Sequence, residues 1–323
     1  MMKASIIIFL GVALTLSASL RASTGQSVGA RLENDRILIQ VDGETFTKYH
    51  FGEEHKYPFF YPVTGPASAR SVTAWDQEPF PHQSSLFFSL DHVRSENVQR
   101  GNYWQPRHEL GTGQVFSRNA RIIEADGTRV VLSDLCDWIV PNTNSHQFQD
   151  TRSVVIWAPN PEVRIMDFEI TLVAMKDVNI RQTPHSFFAA RMRPEVAVGD
   201  PDRGPDWVDS ATGTIVDSDG NRNAAGVYQK AADWIAYYGE NDGSTEGLAI
   251  LQHSGNPFYP AKWFARDYGL VSPTPFAFDG NRRFEAGETL EFRYRVVVFT
   301  GDHETADIAG WHRDFEATAS RMK

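Results

Sequence analysis

The segment Thr289–Thr300, near the C-terminal end, constrains the fold of this chain most strongly. It reads T-L-E-F-R-Y-R-V-V-V-F-T, so Phe292 and Tyr294 alternate with Arg293 and Arg295 before an unbroken apolar run. A period of two is the signature of a strand with one buried face. Related patterns recur along the chain. Arg36 to Asp42 alternates and ends at Gly43, and Ser85 to Asp91 is a short apolar run. Gly113 to Glu124 and Arg129 to Val140 flank A-D-G-T, where Asp126-Gly127 is a strong hairpin signal. Arg152 to Trp157 and Val163 to Met175 flank a second turn, A-P-N-P-E. Ile180 to Met192, Gly213 to Val216, Ala232 to Tyr238 and Gly247 to Gln252 complete the strand set. Only His303 to Met322 has helical spacing, with Ile308, Trp311, Phe315, Ala319 and Met322 near one face. Many short strands and one terminal helix predict an all-β chain. The expected form is a large antiparallel β-sandwich with a C-terminal helix.

Residues 1–23 stand apart from this pattern. Lys3 precedes the apolar run Ile6 to Leu16, and small residues follow at Ala18, Ser19 and Ala22. This is the pattern of a cleavable export signal, which leaves residues 24–323 as a single sandwich domain in the periplasm or outside the cell. Loss of Lys3 and Arg21 leaves 29 basic against 41 acidic side chains, so the formal charge moves from −10 to −12. No basic stripe interrupts this acidity, which argues against a nucleic-acid partner. No later run approaches the ~20 apolar residues of a membrane span. Cys136 is the only cysteine. It can form no internal disulfide and reads as a packing residue.

Four stretches carry candidate chemistry. P-F-P-H-Q-S-S (79–85) presents His82 just before a strand, where an imidazole suits proton transfer. R-G-N-Y-W-Q-P-R-H-E (100–109) holds Trp104 as a stacking surface, Arg107 as a carboxylate contact and His108 as an acid or base. In T-P-H-S-F-F-A-A-R-M (183–192), an extended backbone puts His185 and Arg191 on one face, able to anchor an anion. His253 to Phe276 reads as one long ordered loop, too polar for a core strand and too rich in Pro and Gly for a helix. It supplies His253, Asn256, Trp263 and Arg266 as substrate contacts, Tyr268 as a second acid, and an expected Arg266–Asp267 ion pair as a brace. Spacings typical of metal centres, such as H-x-H, H-E-x-x-H and C-x-x-C, do not occur, and no cofactor is expected. D-S-D-G-N (217–221) lacks the rest of a calcium loop and reads as a β-turn.

Taken together, F-F-Y-P-V-T-G-P (59–66), P-H-Q-S-S-L-F-F (81–88), T-P-H-S-F-F-A-A-R-M (183–192), A-D-W-I-A-Y-Y-G (232–239), E-G-L-A-I-L-Q-H-S-G-N-P (246–257), W-F-A-R-D-Y-G (263–269) and R-Y-R-V-V-V-F-T-G (293–301) resemble the bacterial PmoA-like family. That family is a domain of unknown function whose label refers to methane oxygenase. Members often carry two adjacent histidines where this chain has His82-Gln83, so a role needing both imidazoles is not available here. A membrane oxygenase does not fit a chain without apolar spans. The resemblance implies a galactose-mutarotase-like supersandwich and a setting of polysaccharide digestion.

On these grounds the expected activity is proton abstraction with elimination or dehydration on a uronate-bearing oligosaccharide. His82, His108, His185 and Tyr268 are the candidate acids and bases, and Arg191 and Arg266 the carboxylate clamps. Two rival expectations stand beside it. A glycoside hydrolase or sugar epimerase would use Asp267 or Glu246, and a non-catalytic sugar-binding protein would use only the aromatics.

Overall fold

The computed structural model describes residues 25–105, 112–143, 145–199, 211–276 and 280–319. The export-signal expectation therefore lies outside the described residues, as do Arg107 and His108.

The chain is all-β, built on two large antiparallel sheets with a helix near the C-terminal end. The first sheet has eight strands in the order Val28–Leu32, Arg36–Val41, Glu44–His50, Phe59–Val63, Leu86–Leu90, Ser186–Arg191, Leu270–Thr274 and Lys262–Ala265. The second runs Thr214–Asp217, Trp234–Asn241, Ser244–Gln252, Thr289–Thr300, Val163–Ala174, Ser145–Asn160, Arg129–Val140 and Gln114–Ser117, with Arg121–Ala125 also paired to Arg129–Val140. A small four-stranded sheet joins Arg282–Phe284, Val178–Ile180, Val93–Ser95 and Val98–Gly101.

The two large sheets meet through aromatic rings. Phe188 stacks on Tyr294 at 4.8 Å, Phe60 meets Phe168 edge-on at 5.6 Å, and Phe88 meets Trp138 at 5.6 Å. Such pairs add to the area term that dominates burial. A polar network is sealed inside the same core. Tyr49 donates to Asp134 at 2.8 Å, and Arg152 pairs with Asp150 through two 2.8 Å bonds. Cys136 lies fully buried beside them, and burial pushes its thiol well above the ordinary value.

Thr289–Thr300 occupies the middle of the nine-stranded sheet, between Ser244–Gln252 and Val163–Ala174. Its apolar run is explained by burial on both faces. Val296 and Val298 join the sandwich core, while Val297 and Phe299 pack under the helix Ile308–Ala319 with Ile308 and Phe315. Each fully buried side chain of this kind contributes about 2 kcal/mol. Arg295 ties the helix down, with Asp167 at 2.6 Å and Asp314 at 2.7 Å.

Two expectations need correction. Ile180 to Met192 is not one strand. Val178–Ile180 belongs to the small sheet and Ser186–Arg191 to the eight-stranded sheet, so residues 181–185 cross between them. The stretch from His253 to Phe276 is not a single loop, because it contains the edge hairpin Lys262–Ala265 and Leu270–Thr274. Its polar residues are buried with their hydroxyls bonded to carbonyls: Ser272 to Ser186 O at 3.0 Å and Thr274 to Lys262 O at 2.7 Å. Satisfied hydroxyls let a strand of low hydropathy sit in an interior.

Candidate functional site

The site is built around the junction of Leu86–Leu90 and Ser186–Arg191. These strands pair antiparallel with Leu90 opposite Ser186, so Asp91 and His185 emerge side by side at one end. The Asp91 carboxylate is buried and faces three basic groups. His92 Nδ1 lies 3.1 Å from its Oδ2, Arg100 Nη2 3.2 Å and His185 Nδ1 3.5 Å. The last distance is the outer limit of a hydrogen bond, so the contact is chiefly electrostatic. Burial alone would raise the Asp91 carboxyl, but the contacts from His185, Arg100 and His92 outweigh it and hold it below its ordinary value. Burial lowers His92 despite the carboxylate beside it. With Nδ1 turned to Asp91, the His185 ring has Nε2 left for a ligand.

Trp104 fixes that ring from below. The two stack at 5.3 Å and 23°, and Trp104 in turn meets Phe87 at 4.8 Å. Trp104 is fully buried, so it holds His185 and is not a surface for a sugar ring.

His82 approaches from the loop before Leu86. Its carbonyl accepts the Tyr57 hydroxyl, and Tyr57 stacks on Phe87 at 4.7 Å. Burial, then the positive charges of His185, Lys56 and Arg191, push the imidazole down to about 4. It is therefore neutral at pH 7. Behind it, Gln83 donates to the Tyr268 hydroxyl at 3.3 Å, and Phe80 packs on the Tyr268 ring at 4.8 Å. Arg191 lies over the same ring at 4.6 Å and donates to the Tyr268 carbonyl. Gly269 permits this approach: its φ is +112°, and a Cβ there would stand 2.8 Å from the Met192 carbonyl and 3.2 Å from Arg191 Nη1.

Pro184, the chain neighbour of His185, helps to line a cleft of about 700 Å³ with His92, Arg181, Gln182, Tyr228 and Asn281. Arg266 reaches the same wall, with its guanidinium 4.3 Å from the Tyr228 ring and 5.0 Å from the Phe264 ring. No Asp or Glu is among the described lining residues. Among the described residues, no group of three His, Cys, Asp or Glu has the arrangement of a metal centre.

The structure thus brings His82, His185, Arg191 and Tyr268 into one neighbourhood, with Arg266 at its rim. Four other readings change. Arg191 is fully buried, so it acts on His82 through its charge and not as a clamp on a ligand carboxylate. Trp263 is also fully buried, and its Nε1 donates to Ala232 O at 2.9 Å. His253 accepts the Gly255 N–H at 2.8 Å and packs edge-on against Phe315, under the helix Ile308–Ala319. Asn256 is spent on the backbone of Arg293, donating to its O at 2.8 Å and accepting from its N at 2.7 Å. The expected Arg266–Asp267 brace is replaced as well: Asp267 accepts the Ala224 N–H at 2.7 Å in the first turn of the helix Asn223–Val227.

The rival carboxylates are structural. Glu246 is fully buried and accepts from Ala67 N at 2.6 Å, Ser68 N at 3.1 Å and Asn241 Nδ2 at 2.8 Å. Asp217 accepts the N–H groups of Asp219 and Asn221, which makes D-S-D-G-N the expected turn. Asp91, His92, Arg100 and Arg181 were not singled out from sequence. The available signal was Asp91 at the exact end of an apolar strand, where a charge is presented at a sheet mouth.

The chain belongs to DUF6807, a family of unknown function. The DUF6807 match spans residues 36–312, and its description carries no oxygenase activity. No helix among the described residues is long and apolar enough to cross a membrane. No curated protein matches the chain. Among solved structures it is similar to a polysaccharide lyase, at 11% identity and TM-score 0.33, covering 86% of this chain and 33% of that one. It is also similar to a GalM/aldose epimerase homologue from C. elegans, at 7% identity and TM-score 0.34, covering 85% and 99%. A third is a heparinase III gene product, at 13% identity and TM-score 0.27, covering 83% and 30%. This DUF6807 chain spans about a third of the length of the two lyases. At these scores the likenesses carry no weight in assigning its site.

Proposed function

We propose that this protein is an exported carbohydrate-active enzyme that removes a proton next to the carboxylate of a uronate-bearing oligosaccharide and eliminates the neighbouring oxygen. The observation that carries this reading is His82, a neutral imidazole in the field of His185, Lys56 and Arg191. The cleft lined by Pro184 and His92, the chain neighbours of His185 and Asp91, has basic groups and no acid in its described lining. The carbon α to a carboxylate becomes acidic when the carboxylate charge is offset. Arg266 and Arg181 are the groups placed to offset it.

In the step, His82 takes the proton from C5. The C–H electron pair forms the C4–C5 double bond, and the C4–O bond breaks. His185, held by Asp91 and Trp104, gives a proton to the departing oxygen. If that oxygen is a glycosidic link the chain is cut; if it is a hydroxyl, one water is lost from an uncut molecule. No oxidant or reductant is consumed. A hydrolase with two catalytic carboxylates fits less well, because Glu246 and Asp267 are committed to backbone N–H groups.

The test is incubation with uronate oligosaccharides, followed by ultraviolet absorbance and mass spectrometry. The expected product has a new double bond conjugated to the carboxylate, with either chain cleavage or loss of one water. His185→Gln abolishes it with a small change in melting temperature. Gain of water would indicate hydrolysis and overturn the proposal, as would binding without any chemical change.

A further inference from the structure

A second cleft, of about 710 Å³, opens on the face of the nine-stranded sheet turned away from the sandwich core. Alternation along Ser145–Asn160 decides its floor. Val154, Ile156 and Ala158 point into the core, so Val155 and Trp157 face the cleft. The register sets polar groups beside them. Val155 pairs with Asp167 and Asp167 with Arg295, which makes one row across three strands. Two residues along the strand, Arg129 pairs with Trp157. Diagonal neighbours of this kind are about 7–8 Å apart, so Trp157 and Asp167 lie within reach of one small ligand. The helix Ile308–Ala319 adds a wall through Asp314 and Thr318, one turn apart on the same side. The turn at Gly127 and Thr128 adds another. The two clefts share no described lining residue.

The chemistry of this cleft is the reverse of the first. Both of its guanidiniums are engaged. Arg295 is 1% exposed, gives Nε and Nη2 to Asp167, and gives Nη1 to Asp314. Arg129 holds Glu124 through Nε at 2.9 Å and Nη2 at 3.0 Å. The carboxylates are more open, with the side chains of Asp167 and Asp314 20% and 54% exposed. An ionised carboxylate only accepts hydrogen bonds and has about four lone-pair sites, so both retain capacity. Thr318 spends its hydroxyl proton on Asp314 O at 2.8 Å, which leaves its oxygen to accept. These acceptors surround the partly buried indole of Trp157. They suit a ligand rich in O–H donors. An anion would bring further acceptors to two carboxylates. A cation would meet Arg129 and the Arg295 guanidinium, which already lies 5.8 Å from the Trp157 ring. The ligand that fits is an uncharged polyol with one apolar face, in a cleft of ordinary small-molecule size.

We infer that this cleft binds a neutral pyranose, stacked on Trp157 and held through its hydroxyls by Asp167 and Asp314. The inference does not rest on the proposed reaction, whose residues belong to other strands and loops. It gives the protein a second hold on carbohydrate, through uncharged sugar units that the basic first cleft does not select.

The experiment measures binding of cellotetraose, xylotetraose and mannotetraose by calorimetry, with wild type, Trp157→Leu and Thr318→Arg. The leucine removes the flat ring and keeps apolar packing on Trp311. The arginine leaves Trp157 in place and sends a long side chain across the cleft from the last turn of the helix, where a cation is favoured. Thermal melts accompany each variant, and Thr318→Arg decides the matter if Trp157→Leu does not fold. The expected result is binding of at least one neutral tetrasaccharide by wild type, with Kd raised about tenfold or more in both variants. Absence of binding to all three sugars, or a Kd unchanged in Thr318→Arg, overturns the inference. Tighter binding of a chitosan tetramer or a uronate tetramer that is lost in Thr318→Arg overturns the assignment to a neutral sugar.

Discussion

Replacing Asp91 with Asn tests the centre of the site with the smallest change of shape. The Asp91 side chain is 1% exposed and faces His92, Arg100 and His185, which are 37%, 50% and 27% exposed. Removing one partner of a fully buried ion pair costs about 3–5 kcal/mol, and an exposed pair contributes under about 1 kcal/mol. Here the carboxylate is buried but its partners reach water, so the cost falls between these limits, at about 2 kcal/mol. For a chain of this size that lowers the melting temperature by about 4 °C.

The chemistry should suffer far more than the stability. An amide at position 91 still fills the space, yet it no longer fixes the proton-bearing nitrogen of His185. Loss of such an orienting carboxylate costs about 100- to 10,000-fold in kcat in comparable acid–base pairs. Initial rates of double-bond formation, paired with thermal melts, measure both effects. NMR titration adds a readout independent of turnover. Burial already lowers His92 and the Asp91 charge opposes it, so in the variant the His92 imidazole falls further. Wild-type turnover in D91N, or a His92 titration that moves upward, would refute the role given to Asp91.

Two further predictions follow from the same contacts. His82 is held at about 4 against an ordinary 6.5, so the unfolded chain takes up a proton that the native chain refuses. Its contribution to stability is full above pH 6.5 and is lost as pH falls toward 4, so the melting temperature of His82→Gln falls less steeply over that window than that of wild type. Arg295→Met leaves Asp167 and Asp314 facing an apolar chain; because both acids reach water, the cost is about 2 kcal/mol. Hydrogen exchange should rise first in the helix Ile308–Ala319.

Legibility in the sequence followed the physics of each element. Strands of the nine-stranded sheet were readable because Arg129–Val140 and Thr289–Thr300 show alternation or a long apolar run. The strand Leu270–Thr274, one in from the edge strand Lys262–Ala265, was not, since its buried Ser272 and Thr274 are satisfied by carbonyls and interrupt the apolar pattern. In the site, His82, His185 and Tyr268 stood out as polar groups beside strands. Aromatic residues were the main misreading. Trp104 and Trp263 lie in polar surroundings in the sequence, yet both are fully buried, whereas Trp75 is 37% exposed. Asp91 escaped notice because its partners Arg100 and His185 arrive from separate segments, and a sequence does not display that convergence.

The distribution of acids gives the proposed chemistry its logic. This is an acidic chain, with formal charge −10, yet its buried carboxylates are occupied. Glu246 binds the backbone at Ala67 and Ser68, Asp150 pairs with Arg152, and Asp217 closes a turn. The described cleft lining is left with basic and neutral groups. His82 is a weak base here, first because burial disfavours its charged form and then because neighbouring positive charge does. An arriving carboxylate offsets the charge that suppresses it. On the proposed reading, binding of the anionic sugar therefore raises the basicity of His82 at the moment a base is needed. A neutral sugar of the same shape fills the cleft without that effect, and the discrimination appears in kcat and not in binding alone.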